Sequence, residues 1–241
     1  MNIPSIKGVI ERRILINYKL DPIVAKKLLP TPFEPIVLNN FASVGICLIR
    51  LNGIKPTFLP DCFAGIRSEN AAHRFAVRYP TKNGYRDGVY IPRRDTSSKL
   101  NAMAGGCLFP GIHHLSNFKV IESQNHYYVS FKNKKDGTFL EIDCTTTQSF
   151  PKQSMFNSFE QASEFFRNGS CGFSPTDKKE TFQGLTLKTY VWEMYTLSVN
   201  QVVSSYFNNT QQFPKNSIEF DNALLMKNIP HHWITEPSLN V

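Results

Sequence analysis

The sequence predicts a mainly β domain (α+β overall) in which one mostly antiparallel sheet curls into a barrel. Three observations lead there. Strand-like runs, alternating or wholly apolar, recur along the 241 residues. Asn83-Gly84 and Asp136-Gly137 mark tight hairpin turns. Helix caps flank only a few short segments, and the βαβ alternation of a dinucleotide-binding domain is missing.

The elements follow in order. Residues 13–20 are rich in strand formers, and Asp21-Pro22 then caps a helix over 23–29 that stops at Pro30. Two strands over 36–51 flank Asn39-Asn40; the second, Ala42–Leu51, is nearly all apolar and reads as central. A strand over 70–79 puts Asn70, Ala72 and Arg74 on one face, with His73, Phe75, Val77 and Tyr79 on the other. After Asn83-Gly84 the return strand covers Gly88–Pro92. Thr96 or Asp95 caps a short helix, Ser97–Ala104, closed by Gly105-Gly106. Strands are expected at 117–122, 126–132 and 138–146. Ser158 and Gln161 form a capping box for a helix over 159–167, closed by Asn168-Gly169. Strands over 185–195 and 199–207 come next, with Gln183-Gly184 read as a turn. For Ser217–Met226, strand and helix both fit the periodicity.

Composition bounds the function. With 41% hydrophobic and 19% charged residues, the chain is too apolar to be disordered. No repeat or linker divides it, so a single domain over 1–241 is expected. The longest apolar stretch, near Val44–Ile49, falls far short of the roughly 20 residues of a spanning helix. The N-terminus lacks the features of a secretory signal, which leads us to expect a cytoplasmic protein. The net charge of +8 permits nucleic-acid binding, but no RNP, helix-turn-helix or zinc motif accompanies it, and that reading ranks last. The cluster Lys132-Asn133-Lys134-Lys135 reads as a solvated loop tip. Five cysteines without a CxxC pair argue against a disulfide framework and a structural zinc site, so neither metal nor other cofactor is expected.

Four segments carry residues suited to chemistry. A strand delivers Arg93 and Arg94 to the start of a short helix, where one guanidinium and free N–H groups suit a carboxylate or phosphate; a structural Arg94–Asp95 or Arg93–Glu69 pair is the plain alternative. In Ser68–Arg74, Glu69 enters an apolar strand, where burial would suit it to acid/base work, and Asn70 and Arg74 share a parity that fits ligand binding. Glu69 neutralising a neighbouring arginine explains it equally well. Arg12, Arg13 and Arg50 are further candidates for an anionic ligand. In Gly105–His114, one of His113 and His114 faces inward as proton donor or ligand, and Cys107 has no evident histidine partner.

These residues resemble a known group. Glu11-Arg12-Arg13 with Asn17-Tyr18 and Asp21, the run Ser68–Arg74, Val89–Asp95, Ser204–Phe207 and Phe220–Met226 are similar to the uncharacterised YqjF-like proteins of the acetoacetate decarboxylase-like superfamily. The resemblance spans nearly the whole chain. It implies a closed, cone-like antiparallel β-barrel with peripheral helices and an interior pocket, and small keto acids or related carboxylates as ligands. The decarboxylase itself carries an aromatic-Pro-Lys-Lys segment whose lysine forms an imine with substrate. The matching residues here are Phe109-Pro110-Gly111-Ile112, without a lysine; a gapped reading would bring in Lys99 of the short helix.

Two functional readings follow. One is a lyase- or hydratase-like enzyme without the imine, with Glu69 and His113 or His114 as acid/base groups and the arginines with Asn70 binding the carboxylate. The other is a non-catalytic protein that binds or senses a small carboxylate. A homo-oligomer is compatible with both.

Overall fold

The computed structural model describes residues 5–60, 62–103, 110–178 and 180–240. In chain order they form β1 (Ile6–Leu20), α1 (Pro22–Leu28), β2 (Glu34–Pro35), β3 (Val37–Leu38), β4 (Phe41–Pro56), β5 (Ile66–Thr81), β6 (Gly84–Thr96) and α2 (Lys99–Met103). There follow β7 (His113–Leu115), β8 (Asn117–Glu122), β9 (His126–Lys132), β10 (Phe139–Thr147), α3 (Phe159–Asn168), β11 (Cys171–Pro175), β12 (Thr181–Thr189), β13 (Tyr195–Ser204) and β14 (Ile218–Asn240).

The sheet closes on itself. Its order runs β1-β4-β5-β6-β11-β12-β14, and β14 pairs back onto β1. The 23-residue β14 makes this possible. It pairs with β1 from Ile218 to Trp233, with β12 over His231–Asn240, and with β13 through Ala223–Leu225. From β13 the sheet continues outward through β10, β9 and β8 as a second layer. The sheet is mostly antiparallel, as expected, and β7 and β11 are its parallel members, both against β6. Each arrives by way of a helix, α2 for β7 and α3 for β11, and a parallel pair needs such a crossover.

The sheet has an apolar core on each face. Outside the barrel wall, Ile14, Ile16, Val44, Ile46 and Phe75 pack with Val129, Phe131, Leu140 and Ile142 of the second layer and with Phe33. Inside, Leu15, Cys47, Leu51, Leu185 and Met226 pack against Ala162 and Phe166 of α3. A register shift between Ile10 and Arg12 on β1 changes which parity faces inward. Ile6 and Ile10 therefore belong to the inner core, while Arg12 turns outward and Arg13 inward.

Local signals hold at most boundaries. Asp21 caps α1 by accepting from the Ile23 N–H at 2.7 Å, and Asn39 and Asn40 take the positive φ of the turn before β4. Ser158 caps α3, but Gln161 accepts from the N–H of Asn157 at 2.7 Å, one residue ahead of the cap. The undecided segment 217–226 is strand. Gln183-Gly184 is not a turn and lies inside β12. A Cβ on Gly184 would sit 2.6 Å from the Phe173 ring, so glycine is there for close packing. Residues 104–109, which hold Gly105, Gly106, Cys107 and Phe109, lie outside the described residues.

His73 is fully buried in the outer core, its ring 4.3 Å from that of Tyr206 and near Phe131 and Phe207. Neither nitrogen has a hydrogen-bond partner among the described residues. Burial, and secondarily the charge of Arg93, pushes it down to about 3. Burial likewise takes His113 to about 3 and His231 to about 4. Between these values and the ordinary 6.5 the unfolded chain binds protons that the folded chain does not. Stability therefore falls as pH drops from 6.5 toward 4 and is flat in these groups above 6.5. His73 alone contributes a slope of up to about 1.4 kcal/mol per pH unit in that window. Urea midpoints from pH 4.5 to 8 test this: His73→Phe is expected to flatten the acid limb and to gain relative to wild type at pH 5. An unchanged acid limb would show that His73 is not among the groups responsible.

Candidate functional site

All seven ring strands contribute to one interior cavity of about 120 Å³. Arg13 comes from β1, Cys47, Ile49 and Leu51 from β4, and Asn70, Ala72 and Arg74 from β5. Val89, Ile91 and Arg94 come from β6, Gly172 from β11, Leu185 and Leu187 from β12, and Trp233 from β14. Asn101 of α2 and His113 of β7 complete it. The wall is apolar except at these guanidinium, amide and imidazole groups, at Cys47 and Ser170, and at Asp95, whose carboxylate is paired with Arg93.

The arginines of this chain fall into two sets. Arg12 and Arg50 form a ring of ion pairs with Glu69 and Glu122. Arg12 Nη2 and Arg50 Nε each donate to Glu69 at 2.5 Å, Arg50 Nη1 donates to Glu122 at 2.9 Å, and Arg12 Nη1 also donates to Glu122. Arg93 donates to Asp95 at 2.8 and 2.9 Å and to Asp136 at 2.6 Å. For Arg50 and Arg93 burial opposes the charge, yet the carboxylates outweigh it and push both upward. This set is neutralised within the fold.

The second set faces the cavity. Arg74, only 4% exposed, donates through Nη2 to Asn17 Oδ1 and lies 4.7 Å from the Phe166 ring centroid; its Nε has no hydrogen-bond partner among the described residues. Arg94 Nε donates to Ser174 Oγ at 2.9 Å. Arg13 donates through Nε to Cys47 Sγ at 3.2 Å, with its guanidinium 5.9 Å from the Trp192 ring centroid. Among the described residues, none of the three forms a salt bridge. Burial pushes Arg74 and Arg94 down to about 10.

Arg74 is held without being neutralised. Asn17 donates to Asn222 at 2.7 Å, and Asn222 donates to Asp221 at 2.6 Å. Asp221 also accepts from Ser154 Oγ and the Met155 N–H, each at 2.9 Å. Two amides thus separate the guanidinium from the nearest carboxylate in that chain. His113 stays neutral at ordinary pH through burial, with Arg94 also opposing its charge. Its Nδ1–H donates to the Gly111 carbonyl at 3.3 Å, which leaves Nε2 as the basic nitrogen.

The structure divides the residues singled out in the sequence. Arg13, Arg74, Arg94, Asn70 and His113 line the cavity; Arg12, Arg50, Glu69, Arg93 and His114 do not. Glu69 sits on the opposite parity from Asn70, and its carboxylate is spent on Arg12 and Arg50. That is the structural alternative, and it corrects the assignment of Glu69 to acid/base work. Arg93 pairs with Asp95, so Arg94 alone of the two enters the interior. The start of α2 offers no anion cradle: Ser97 N–H donates to Glu69 O at 2.9 Å and Ser98 N–H to Thr96 Oγ1 at 3.2 Å. The loop after the lysine cluster is no mere solvated tip, because its Asp136 grips Arg93. Lys99 is exposed, and no lysine lines the cavity among the described residues. Gly111 has φ +77, and a Cβ there would come within 2.5 Å of Ser174. Sequence reasoning passed over Cys47, Asn101, Asn222 and Ser174. The parity of Cys47 opposite Val44, Ile46 and Leu48 was the one signal for it.

The fold is a closed β-barrel whose interior cavity is lined by arginines. The chain belongs to the DUF2071 family, described as "Uncharacterized conserved protein (COG2071)", which matches residues 9–220. Its structure is similar to that of acetoacetate decarboxylase from Legionella pneumophila subsp. pneumophila str. Philadelphia 1, with a TM-score of 0.62 at 14% identity over 100% of this chain and 90% of that one. It is also similar to the enduracididine biosynthesis enzyme MppR complexed with pyruvate, with a TM-score of 0.61 at 8% identity over 100% and 91%. An acetoacetate decarboxylase-like enzyme from Sphingomonas wittichii RW1 gives 0.57 at 10% identity over 100% and 94%. At these identities the likeness is one of fold. No curated protein matches the chain by sequence. No helix among the described residues is long and apolar enough to cross a membrane.

The Arg12–Glu69–Arg50–Glu122 ring ties β1, β4 and β5 to β8 of the second layer. Arg12 is 3% exposed, so removing the Glu69 carboxylate leaves its buried charge with Glu122 alone and takes the same partner from Arg50. Glu69→Gln is expected to cost about 3 kcal/mol in urea unfolding at pH 7. A cost below about 0.5 kcal/mol, the scale of an ordinary surface change, would show that the ring carries no structural weight.

Proposed function

We propose that the barrel interior binds a small carboxylate, with a 2-keto acid as the preferred class. The observation that carries this reading is the set Arg13, Arg74 and Arg94: three guanidinium groups around one cavity with no salt bridge among the described residues. Partly desolvated charge is costly unless an opposite charge meets it, and a ligand carboxylate supplies that charge in a geometry guanidinium groups match. Arg74 and Arg94, both lowered to about 10, remain cations at pH 7.

The chemistry that fits is proton transfer next to a carbonyl, of the lyase or hydratase kind. The arginines hold the carboxylate and polarise the keto oxygen, while His113, neutral before the ligand enters, accepts a proton on Nε2 once the ligand carboxylate offsets Arg94. An imine mechanism has no support here, because no lysine lines the cavity among the described residues. That same feature favours the second reading, a protein that binds the carboxylate without turnover. Among the described lining residues it leaves His113 as the proton acceptor, since Asp95 is taken by Arg93 and by Ser116 Oγ at 2.7 Å.

Oxalate and pyruvate are expected to raise the melting temperature and to bind in calorimetry. Arg74→Met and Arg94→Met should each weaken oxalate about 10- to 100-fold, or about 1.4–2.8 kcal/mol. Unchanged affinity in both variants would remove the carboxylate pocket. Exchange of the pyruvate methyl protons in D2O, followed by NMR and lost in His113→Gln, supports catalysis. Binding without exchange or turnover of a keto-acid panel supports the second reading.

A further inference from the structure

Cys47 differs from the other described thiols. Cys144 and Cys171 lie in the outer core, where burial pushes both upward, Cys144 to about 12, and Cys62 is exposed. Cys47 lines the cavity and accepts from Arg13 Nε at 3.2 Å. A cation in contact with sulfur is the setting in which a cysteine acts as a nucleophile and not as an inert core residue.

Its position in the sheet is also specific. Along one cross-strand row Cys47 pairs with Ala72, Ala72 with Arg94, and Arg94 with His113. All four line the cavity. Ala72 puts a single methyl between sulfur and guanidinium. With neighbouring strands about 4.8 Å apart, the backbones of Cys47 and Arg94 stand about 10 Å from one another, which leaves space for a short carboxylate between their side chains. Two polar atoms of the same wall lack hydrogen-bond partners among the described residues: Arg74 Nε and Asn101 Oδ1, on side chains 4% and 2% exposed. An unmet donor and an unmet acceptor, both deeply buried and on residues that line one cavity, point to a ligand that brings an oxyanion and a hydroxyl.

We propose that Cys47 is the covalent anchor of this cavity, its sulfur adding reversibly to the carbonyl carbon of a 2-keto carboxylate held by Arg13, Arg74 and Arg94. The proposal rests on the carboxylate-pocket reading and names the group that engages the keto carbon. In the step the Sγ–C bond forms and the carbonyl π pair moves to oxygen. The proton given up by the thiol ends on that oxygen. The product is a thiohemiketal, formed without oxidant, reductant or further reactant. Its new hydroxyl meets the unpartnered acceptor of Asn101.

Iodoacetate carries a carboxylate beside an electrophilic carbon and tests the anchor on the intact chain. In that reaction the S–C bond forms as C–I breaks, iodide leaves and the thiol proton goes to solvent. Labelling is followed by peptide mass mapping against neutral iodoacetamide, with exposed Cys62 as internal reference. Cys47 is expected to prefer iodoacetate by about tenfold relative to Cys62, as steering by clustered cations predicts. Oxalate should slow the labelling, and Arg94→Met should abolish the preference. An unlabelled Cys47, or one with the reagent ratio of Cys62, overturns the anchor. Oxalate stabilisation of the same sample separates the two causes. Stabilisation with an inert Cys47 leaves the pocket and removes the anchor, whereas no stabilisation removes the pocket reading and the anchor with it.

Discussion

Three guanidinium groups facing one enclosed space without carboxylate partners are the constraint around which the inner half of this molecule is arranged. Leaving them unneutralised is costly, because charge in a partly desolvated wall loses hydration that nothing replaces. The fold lowers that cost without cancelling the charge. Ring faces of Phe166 and Trp192 lie near Arg74 and Arg13. A hydroxyl receives Arg94, an amide receives Arg74, and sulfur receives Arg13. Each partner orients a guanidinium and none is a carboxylate. On the proposed reading that missing charge is left for the ligand.

The contrast with Arg12, Arg50 and Arg93 gives this argument its force. Those three are also substantially buried, and each is met by two carboxylates. The chain therefore has acidic residues available at these strands and commits them to the other arginines; Asp95, which also lines the cavity, is paired with Arg93. Glu69 and Asn70, adjacent on β5, show the division within one peptide unit: the carboxylate goes to the ion-pair ring, the amide to the cavity. Strand parity turns a run of similar residues into two environments. The β1 bulge does the same for Arg12 and Arg13.

Much of the architecture was legible in local pattern. The α1 and α3 caps, the Asn39-Asn40 turn and the second-layer strands follow from residues within a few positions of each element. Interior placement was legible only where parity could be carried along an unbroken strand, as for Asn70, Ala72 and Arg74. Glu69 illustrates what local pattern leaves open, since its fate is set by Arg12, Arg50 and Glu122 on three other strands. Gly184 shows a second limit: a glycine that admits Phe173 looks in sequence like one that turns the chain. The parallel placement of β7 and β11 had no local signature at all, because it depends on where α2 and α3 set the chain down.

The interior also constrains what chemistry is reasonable there. An amine nucleophile beside three cations would be deprotonated readily, which is one way a barrel of this type can serve an imine-forming lysine. This chain has the cations and lines the described cavity with no lysine, so their field acts on the other nucleophiles and bases there. Two such groups face it, Cys47 and His113, at either side of Arg94 along one cross-strand row. Burial, and secondarily the charge of Arg94, favours the neutral form of the imidazole, while Arg13 contacts the sulfur. A ligand carboxylate, on the proposed reading, offsets Arg94 and lets that imidazole take up a proton. On the proposed reading the arginines do more than hold a carboxylate: burial and Arg94 keep His113 neutral until the ligand offsets that charge, and this coupling explains why a carboxylate pocket and a neutral histidine share one wall.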